Sequence, residues 1–243
     1  MKRLFDLFLS FFGIIFLSPL ILIASLLIYS QDLHNPFYIS KRVGKNERIF
    51  NMIKLRSMVI NADKNKVDST SKNDPRITKI GSFIRKLKLD ELSQIINVFI
   101  GDMSFVGPRP NVKRETDIYT YLEKNLIKVK PGITDFASIV FSDEADILAN
   151  QDDPDISYNQ LIRPWKSKLG LFYIKKRSLI LDIFLITITL IGIFSRSFSL
   201  YLLYKVAKKL NAPQDLLKII LRKETLKPLP PPGSEKIVTD RDI

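Results

Sequence analysis

The first thirty residues limit the architecture more than any other stretch of the chain. Residues 4–29 are almost entirely apolar, with only isolated polar or helix-breaking interruptions. Such a run is long enough for a helix that crosses a bilayer core of roughly 30 Å. It is too long for the apolar part of a cleaved signal peptide, and no small-residue cleavage motif closes it. We therefore expect a membrane-embedded N-terminal helix.

Two features of this run argue against a simple span. Cations lie on both sides of it, Lys2 and Arg3 before and four lysines or arginines within residues 41–48 after, whereas the positive-inside rule requires asymmetry. Ser18-Pro19 lies in the middle, where proline should break the helix and serine can bond a freed carbonyl. A re-entrant helix that enters and leaves one leaflet explains both features, and an ordinary kinked span is the alternative.

Composition narrows the kind of partner. The 243 residues suffice for one domain with a core, and 38 lysines and arginines against 25 acids give a net charge of +13, which suits anionic partners. A hydrophobic content of 46% favours a membrane surface over nucleic acid. With no cysteine and only His34, the chain can form neither disulfides nor a cysteine- or histidine-rich zinc site.

Residues 81–110 contain the strongest candidates for chemistry. Apolar side chains recur at helical spacing over residues 84–100, which predicts either one helix or two short helices that meet near Asp90 and Glu91, and Gly101 should end the last helix. On one continuous helix Asp90 would face solvent and Glu91 would be half-buried. Adjacent carboxylates in different surroundings can have separated pKa values, as a nucleophile and a metal-binding or proton-handling partner require.

Four cations are candidate phosphate ligands beside these acids. Arg109 lies between two prolines that stiffen its turn, and a guanidinium can bind phosphate through two hydrogen bonds. Lys54 and Arg56 would share one side of a strand predicted over residues 49–58, roughly 7 Å apart, which suits a diphosphate. A solvated strand edge is the alternative there. Arg85 either polarises Asp90, binds phosphate or is a surface residue.

The order of these motifs resembles the monotopic phosphoglycosyl transferases, the bacterial sugar transferases that begin glycan assembly on a polyprenyl phosphate. Matches extend over most of residues 1–190 and include the opening Lys2-Arg3-x-x-Asp6 and the Ser18-Pro19 break. The other matching residues are 74–78, Gly81, Arg85, 89–92, Gln94, 97–98, 101–104, 106–110 and 130–134.

The resemblance implies transfer of a phospho-sugar from a UDP-sugar to polyprenyl (undecaprenyl) phosphate with release of UMP, at the start of exopolysaccharide, capsule, O-antigen or glycoprotein glycan assembly. It implies that Asp90 attacks phosphorus and forms a covalent aspartyl intermediate. The oxygen-only ligand set suggests Mg²⁺, with Glu91 as its ligand. The implied phosphate-binding residues are Lys54, Arg85 and Arg109.

We predict a mostly helical α+β, monotopic membrane-associated fold with an N-terminal re-entrant helix hairpin and amphipathic interfacial helices. Residues 1–30 would form the re-entrant helix, 31–195 the catalytic domain with its interfacial helices, and 196–243 an amphipathic basic extension with a disordered tail over 227–243. The predicted location is the cytoplasmic face of the bacterial inner membrane, with anionic lipids but not nucleic acid as further partners. The oligomeric state stays open, a homodimer included.

Two places depart from the usual family pattern. After Thr134 the family's glycine-rich loop is replaced by residues 135–140 and then by the acidic segment, residues 143–155, which bears six acids. Because this region is expected to lie over the sugar, sugar identity is open, and Arg163 and Lys166 become candidates for the family's loop arginine. The acidic segment read alone would be a solvated loop. Ser93 replaces a proline of the family motif, and serine is a competent helix cap.

Three further segments receive local predictions. Residues 61–73 have almost no apolar side chain, which predicts a mobile surface loop, either a lid or a plain connector. Residues 111–125 suggest an amphipathic helix. Residues 165–177 are basic and aromatic, which is typical of a helix in the membrane interface.

Two other classes of function stay open. A non-catalytic basic membrane adaptor or scaffold would explain the charge and the amphipathic segments, but it gives no reason for Asp90 and Glu91 between Arg85 and Arg109. A nucleic-acid-binding protein would also be basic, yet the apolar run predicts detergent dependence rather than simple salt-sensitive attachment.

Overall fold

The computed structural model describes residues 1–62, 70–71, 74–149 and 151–240. Most of the predicted loop at 61–73 lies outside the described residues. The chain is mostly helical, as predicted, with 58% of it in helices and few strands.

Eleven α-helices and four strands follow one another within the described ranges. The helices are α1 Lys2–Asp32, α2 Lys79–Lys86, α3 Gln94–Ile100, α4 Lys113–Asp117, α5 Phe136–Val140, α6 Glu144–Ile147, α7 Pro154–Ser157, α8 Arg163–Lys176, α9 Leu179–Phe194, α10 Arg196–Lys209 and α11 Gln214–Leu221. The strands are β1 Phe37–Val43, β2 Ile49–Leu55, β3 Ser104–Val106 and β4 Gly132–Thr134. Short 3₁₀ turns occupy Lys45–Glu47, Leu89–Glu91 and Glu123–Lys128, and a π-helical turn occupies Tyr158–Ile162.

The strands form two small sheets. β1 and β2 pair antiparallel, with Phe37 opposite Leu55 and Val43 opposite Ile49. β3 and β4 pair parallel, with Ser104 opposite Gly132. Neither sheet is large enough to organise a domain, so helices supply most of the core.

The main hydrophobic core lies among α5, α8, α9, α10 and α11. Leu169 of α8, Leu185 of α9 and Leu203 of α10 have no exposed surface there, and Phe136 and Ile220 pack with them. One face of α8 belongs to this core through Leu169, Phe172 and Tyr173. The placement of residues 165–177 in the membrane interface stays a prediction.

Two other local predictions are corrected. Residues 111–125 contain only the five-residue α4 and the start of a 3₁₀ turn, not one amphipathic helix. The tail is not disordered over residues 227–240, because Gln160 Nε2 donates to Val238 O over 2.7 Å and Leu229 N donates to Gln160 O over 3.0 Å. Val238 is only 7% exposed, so the tail buries apolar surface that its proline-rich composition conceals.

Helix α1 passes through Pro19 without interruption. Proline cannot donate to the carbonyl four residues earlier, that of Ile15, and Ser18 Oγ donates to this carbonyl over 2.9 Å instead. The compensating role of Ser18 is thus confirmed, whereas the helix is continuous where the sequence suggested a break. It is also the one helix in the described ranges that is long and apolar enough to cross a membrane.

Both ends of α1 contact the rest of the domain. Near its start, Lys2 pairs with Asp182 of α9, and Asp6 accepts hydrogen bonds from Ser104 Oγ over 2.9 Å and Phe105 N over 3.3 Å. At its end, Asp32 binds the guanidinium of Arg56 over 2.5 and 2.7 Å.

Within residues 11–23 of α1 no side chain is buried. Ile15, Phe16 and Leu20 are 52%, 76% and 39% exposed. An exposed apolar surface this large fits a membrane-associated helix.

Candidate active site

Asp90 and Glu91 lie in a 3₁₀ turn between α2 and α3. Lys88, just before this turn, has a left-handed backbone with φ +55°, which breaks the helical repeat. The alternative of two short helices is therefore confirmed, and Gly101 ends α3 at φ +105° as predicted. The solvent exposure inferred for Asp90 from one continuous helix is wrong, because Asp90 is buried at 9% exposure, whereas Glu91 is half-buried as predicted, with 21% of its side chain exposed.

Asn97 of α3 and Ser93, the residue before α3, bind the edge of β2 that does not pair with β1. Asn97 Oδ1 accepts from Ile53 N over 3.0 Å and Asn97 Nδ2 donates to Asn51 O over 2.7 Å. Ser93 Oγ donates to Ile53 O over 3.0 Å, so this serine bridges to the strand and does not cap α3 as predicted. These bonds hold Asn51 and Ile53, just before Lys54 in the strand, and so place Lys54 beside the acid pair.

Glu91 is the meeting point of two cations. Arg109 forms an ion pair with Glu91 Oε1, and Lys54 Nζ lies 3.7 Å from the same oxygen. Burial by itself raises the pKa of Glu91, but the charges of Arg109 and Lys54 outweigh it and hold that pKa well below its usual range. Glu91 is accordingly ionised, and it raises the pKa of Arg109 in return.

Asp90 has a different environment from its neighbour. Burial raises the pKa of its carboxyl, while the charge of Lys54 opposes the rise. Within the described residues no side chain or backbone group donates a hydrogen bond to this carboxylate, and its oxygens are not among the fully enclosed atoms that lack partners. Asp90 is thus a poorly solvated carboxylate with open oxygens, which is the state of an effective oxygen nucleophile.

The backbone around Arg109 is fixed by a close crossing of β3 and β4. Gly107 N donates to Thr134 O and Gly132 N donates to Pro108 O, each over 3.0 Å. A Cβ on Gly107 would lie 2.4 Å from Lys130 O, so this crossing requires glycine. The stiff turn predicted for Arg109 therefore exists and aims the guanidinium at Glu91.

The other predicted cations divide into those that reach the site and those that do not. Arg85, in the last turn of α2, makes no ion pair within the described ranges, and its charge acts on Asp90. Arg56 lies beyond the end of β2 and binds Asp32, so the predicted Lys54 and Arg56 diphosphate grip is wrong.

The two candidates for the family's loop arginine, Arg163 and Lys166, also differ in their contacts. Arg163 is 5% exposed and forms a buried pair with Glu123, over 3.0 Å from Nε and 2.6 Å from Nη2, so it is structural. Lys166 lines a cleft together with Arg109 and pairs with Glu144 of α6. The acidic segment is correspondingly not a plain solvated loop, since Glu144 is paired.

One site residue escaped the sequence interpretation. Lys88 is exposed, and partial desolvation lowers its pKa while the neighbouring charge of Glu91 opposes that change. It is therefore a further cation within electrostatic range of the acid pair. The position of Lys88, two residues before Asp90, could have indicated this role. On one continuous helix, however, Lys88 would lie on a different face from Asp90.

The donor set fits a magnesium ion that is completed by substrate. No group of three or more Asp, Glu or His side chains able to hold a metal occurs in the described part of the chain. Both cation contacts of Glu91 fall on Oε1, which leaves Oε2 as a free oxygen donor. Mg²⁺ typically takes one or two carboxylates and fills its octahedron with water and substrate phosphates. Glu91, with Asp90 beside it, meets that requirement.

Comparison with known proteins gives the family. The family model described as bacterial sugar transferase matches residues 1–196. The chain is similar to exopolysaccharide production protein ExoY of Sinorhizobium fredii, with 36% identity over 148 residues, which cover 55% of this chain and 66% of that protein.

Two longer relatives match more of this chain. UDP-N-acetylgalactosamine-undecaprenyl-phosphate N-acetylgalactosaminephosphotransferase of Aeromonas hydrophila is 34% identical over 190 residues, 76% of this chain and 41% of its own length. UDP-glucose:undecaprenyl-phosphate glucose-1-phosphate transferase of Klebsiella pneumoniae is 36% identical over 175 residues, 70% of this chain and 37% of its own length. The chain spans less than two thirds of these three relatives. With a family match over 196 of its 243 residues, the chain belongs to the bacterial sugar transferase family.

Proposed function

We propose that the chain transfers a phospho-sugar from a UDP-sugar to undecaprenyl phosphate or a similar polyprenyl phosphate, with release of UMP. The proposal rests on one observation, the buried and unbonded carboxylate of Asp90 beside an ionised Glu91 and the cations Lys54 and Arg109. The names of the relatives from Aeromonas and Klebsiella, which specify UDP-sugars and undecaprenyl phosphate, support the choice of donor and acceptor. The name of the Sinorhizobium relative supports a place in exopolysaccharide production.

In this mechanism Asp90 attacks the phosphorus next to the sugar. A carboxylate oxygen forms a bond to that phosphorus while the bond to the bridging diphosphate oxygen breaks, so UMP departs with the electron pair. The lipid phosphate then attacks the same phosphorus, and Asp90 leaves as a carboxylate. The charge of the protein is restored at the end of the cycle, and no external oxidant or base is needed.

The surrounding cations would stabilise the redistributed phosphate charge. Lys54, Arg85 and Arg109 bind the diphosphate oxygens, and Lys88 adds a fourth positive charge at the opening. Because Lys54 and Asp90 are shielded from water, their interactions with phosphate are stronger than in bulk solvent. A magnesium ion on Glu91 would supply further neutralisation of the diphosphate.

The contacts of α1 support a re-entrant placement at one membrane face. A helix of 31 residues is about 46 Å long, and a straight span would separate its ends by the bilayer core of roughly 30 Å. Yet Asp6 and Asp32 both bind the same domain, and the exposed apolar surface lies between them. We place the domain on the cytoplasmic face, where nucleotide sugars are available. Because the chain has no cysteine, single cysteines at positions 2 and 33 can test whether both ends react from one side.

Catalysis is tested by UMP release from purified protein in detergent with undecaprenyl phosphate and a panel of UDP-sugars. We expect release with at least one donor, dependence on Mg²⁺ and loss in Asp90→Asn. Turnover that survives Asp90→Asn would refute the assigned nucleophile, and no release with any donor would refute the activity.

A further inference from the structure

A cleft lies between Arg109 and Lys166. Its walls include Arg109, Asp135, Tyr158 and Lys166. Lys166 Nζ lies 5.1 Å from the centre of the Tyr158 ring and pairs with Glu144. Glu144 is also close enough to Arg109 to contribute to the rise in the pKa of that arginine. Lys166 therefore shares a cleft with Arg109, the predicted phosphate clamp, and Glu144 lies beside it as the partner of Lys166.

Two groups of charges lie near Arg109, and they differ in net charge. In the first, Lys54, Lys88 and Arg109 act on the acid pair, which suits a diphosphate. In the second, Glu144 and Lys166 neutralise each other while each retains hydrogen-bonding capacity, since a carboxylate has several lone pairs and an ammonium three protons. The Glu144 side chain is 31% exposed and so remains accessible to a ligand.

The position of Glu144 is fixed by arginines from the C-terminal part of the chain. Asp143, its neighbour, pairs with Arg196 over 2.9 Å and with Arg222 over 3.3 Å. The Arg222 guanidinium also lies 5.1 Å from the centre of the Phe141 ring. Arg222 lies after the family-matched region, which ends at residue 196. The segment that replaces the family's glycine-rich loop is thus attached to an extension outside that match.

We infer that Glu144 and Lys166 are the sugar-recognition pair of the donor cleft, and that they select a neutral sugar with hydroxyl or amide N–H groups over a uronic acid. Glu144 accepts hydrogen bonds from the sugar and Lys166 donates one. A sugar carboxylate in that position would lie against the Glu144 carboxylate, and the two like charges would repel each other. Asp143, Arg196 and Arg222 are positioning residues. This inference rests on the proposed function, because it assigns the sugar end of the same donor.

The test compares donors across matched variants of the full-length protein. UMP release is measured with UDP-glucose, UDP-galactose, both UDP-N-acetylhexosamines and UDP-glucuronic acid for wild type, Glu144→Gln and Lys166→Met. We expect each variant to lower kcat/KM for the preferred neutral donor about 10- to 100-fold, the range for a lost charged hydrogen bond. Glu144→Gln should also raise the relative use of UDP-glucuronic acid. Inhibition by UMP, which lacks a sugar, should change by less than about twofold.

Controls separate recognition from charge and folding effects. Asp146→Asn removes an exposed acid from the same helix, and Lys168→Met removes a lysine of α8 that pairs with Asp215 over 3.1 Å instead. Both should retain the donor ranking. Thermal unfolding is compared for every variant, and the nearly isosteric Glu144→Gln decides the result if Lys166→Met does not fold.

The positioning of Glu144 by Arg222 is tested separately, through the donor ranking. Arg222→Met should alter the donor ranking in the same direction as Glu144→Gln, and Arg222→Lys should restore it in part. An unchanged ranking in Glu144→Gln, or an equal loss with every donor and with UMP binding, would overturn the inference while the proposed function stands. A wild-type protein that releases UMP from no donor would instead overturn the proposed function.

Discussion

Two glutamate–arginine pairs in this protein differ in burial and in how many carboxylate oxygens are hydrogen-bonded. Glu123 and Arg163 are almost fully enclosed, with side-chain exposures of 0% and 6%. Glu123 also accepts from Ser167 Oγ over 2.6 Å and from Thr120 N over 3.1 Å, so both of its oxygens are used. Glu91 and Arg109 are 21% and 36% exposed, and the cations meet only one oxygen of Glu91.

The difference separates structural charge from charge kept for a ligand. A buried pair with every lone pair satisfied connects the 3₁₀ turn of Glu123 to α8 and has nothing left to bind. The Glu91 pair has a free oxygen, an accessible guanidinium and the unbonded Asp90 next to it. Carboxylate oxygens that lack hydrogen bonds and lie next to solvent therefore identify the site better than the mere presence of an acid and a base.

Asp90→Asn should reduce activity more than any other change, and it tests most sharply whether the unbonded acid serves chemistry rather than stability. Loss of the nucleophile is expected to reduce UMP release by at least about 10³-fold. The unfolding temperature should not fall, because a neutral amide replaces a poorly solvated, unbonded carboxylate. Steady-state UMP release and thermal unfolding of the same preparation check both parts. A variant that is active, or inactive only because it is unfolded, would contradict the assignment.

Replacing each glutamate of the two pairs tests the comparison directly. Glu123→Gln leaves Arg163 buried without a counter-charge and should lower the free energy of unfolding by roughly 3–5 kcal/mol. Glu91→Gln should cost less than about 1 kcal/mol, since water screens its partly exposed pair, but it should reduce turnover at saturating donor severely. Denaturant unfolding and UMP release on both variants measure the contrast. Equal losses of stability in Glu123→Gln and Glu91→Gln would contradict the distinction between a structural pair and a ligand-binding pair.

The pH dependence of activity reports the state of Asp90. Burial raises the pKa of its carboxyl above the usual 3.8, and the ionised form is the one that attacks. Activity should therefore be present above this raised pKa and be lost as the pH falls through it, at a higher pH than for an ordinary aspartate. Lys54 opposes the rise, so Lys54→Met should move the acid limb of kcat/KM to still higher pH.

The matched control for that lysine is Lys113→Met, whose exposed side chain pairs with Asp117 in its own helix over 2.6 Å. It should leave the acid limb in place. An acid limb that does not move in Lys54→Met would show that another group controls it.

Ser93→Ala should have the smallest effect. The variant loses the hydrogen bond to Ile53 O, which should lower the free energy of unfolding by about 1 kcal/mol. Activity should fall only a few-fold, because Asn97 still ties β2 to α3. Ser30→Ala is the control, since its exposed hydroxyl bonds only Leu27 O within α1. A loss as large as that of Glu123→Gln would mean that this contact, and not the buried pair, sets the stability of the site region.

Local chemistry was predictable from the sequence, whereas the partners of charged side chains were not. Helical spacing and glycine conformation correctly placed α2, α3 and the end of α3 at Gly101. Spacing could not show that Lys88 would adopt a left-handed backbone, and after this residue Asp90 is buried where spacing places it in solvent.

The errors over Arg56 and Arg163 have a common cause. Each binds an acid far away in sequence, 24 and 40 residues from it respectively, so no local pattern records the contact. The error over the tail has the same cause, since Pro232 O accepts from Thr120 Oγ1 and Val238 O accepts from Gln160 Nε2. Long-range pairing must be known before a cation can be assigned to a ligand.

The central claim is that Asp90 forms a bond to phosphorus. The direct measurement is mass spectrometry of protein incubated with UDP-sugar and Mg²⁺ without the lipid acceptor. We predict a phospho-sugar adduct on the peptide that contains Asp90, absent in Asp90→Asn and discharged when undecaprenyl phosphate is added. An adduct that persists in Asp90→Asn, or steady turnover in wild type with no adduct on this peptide, would contradict the account.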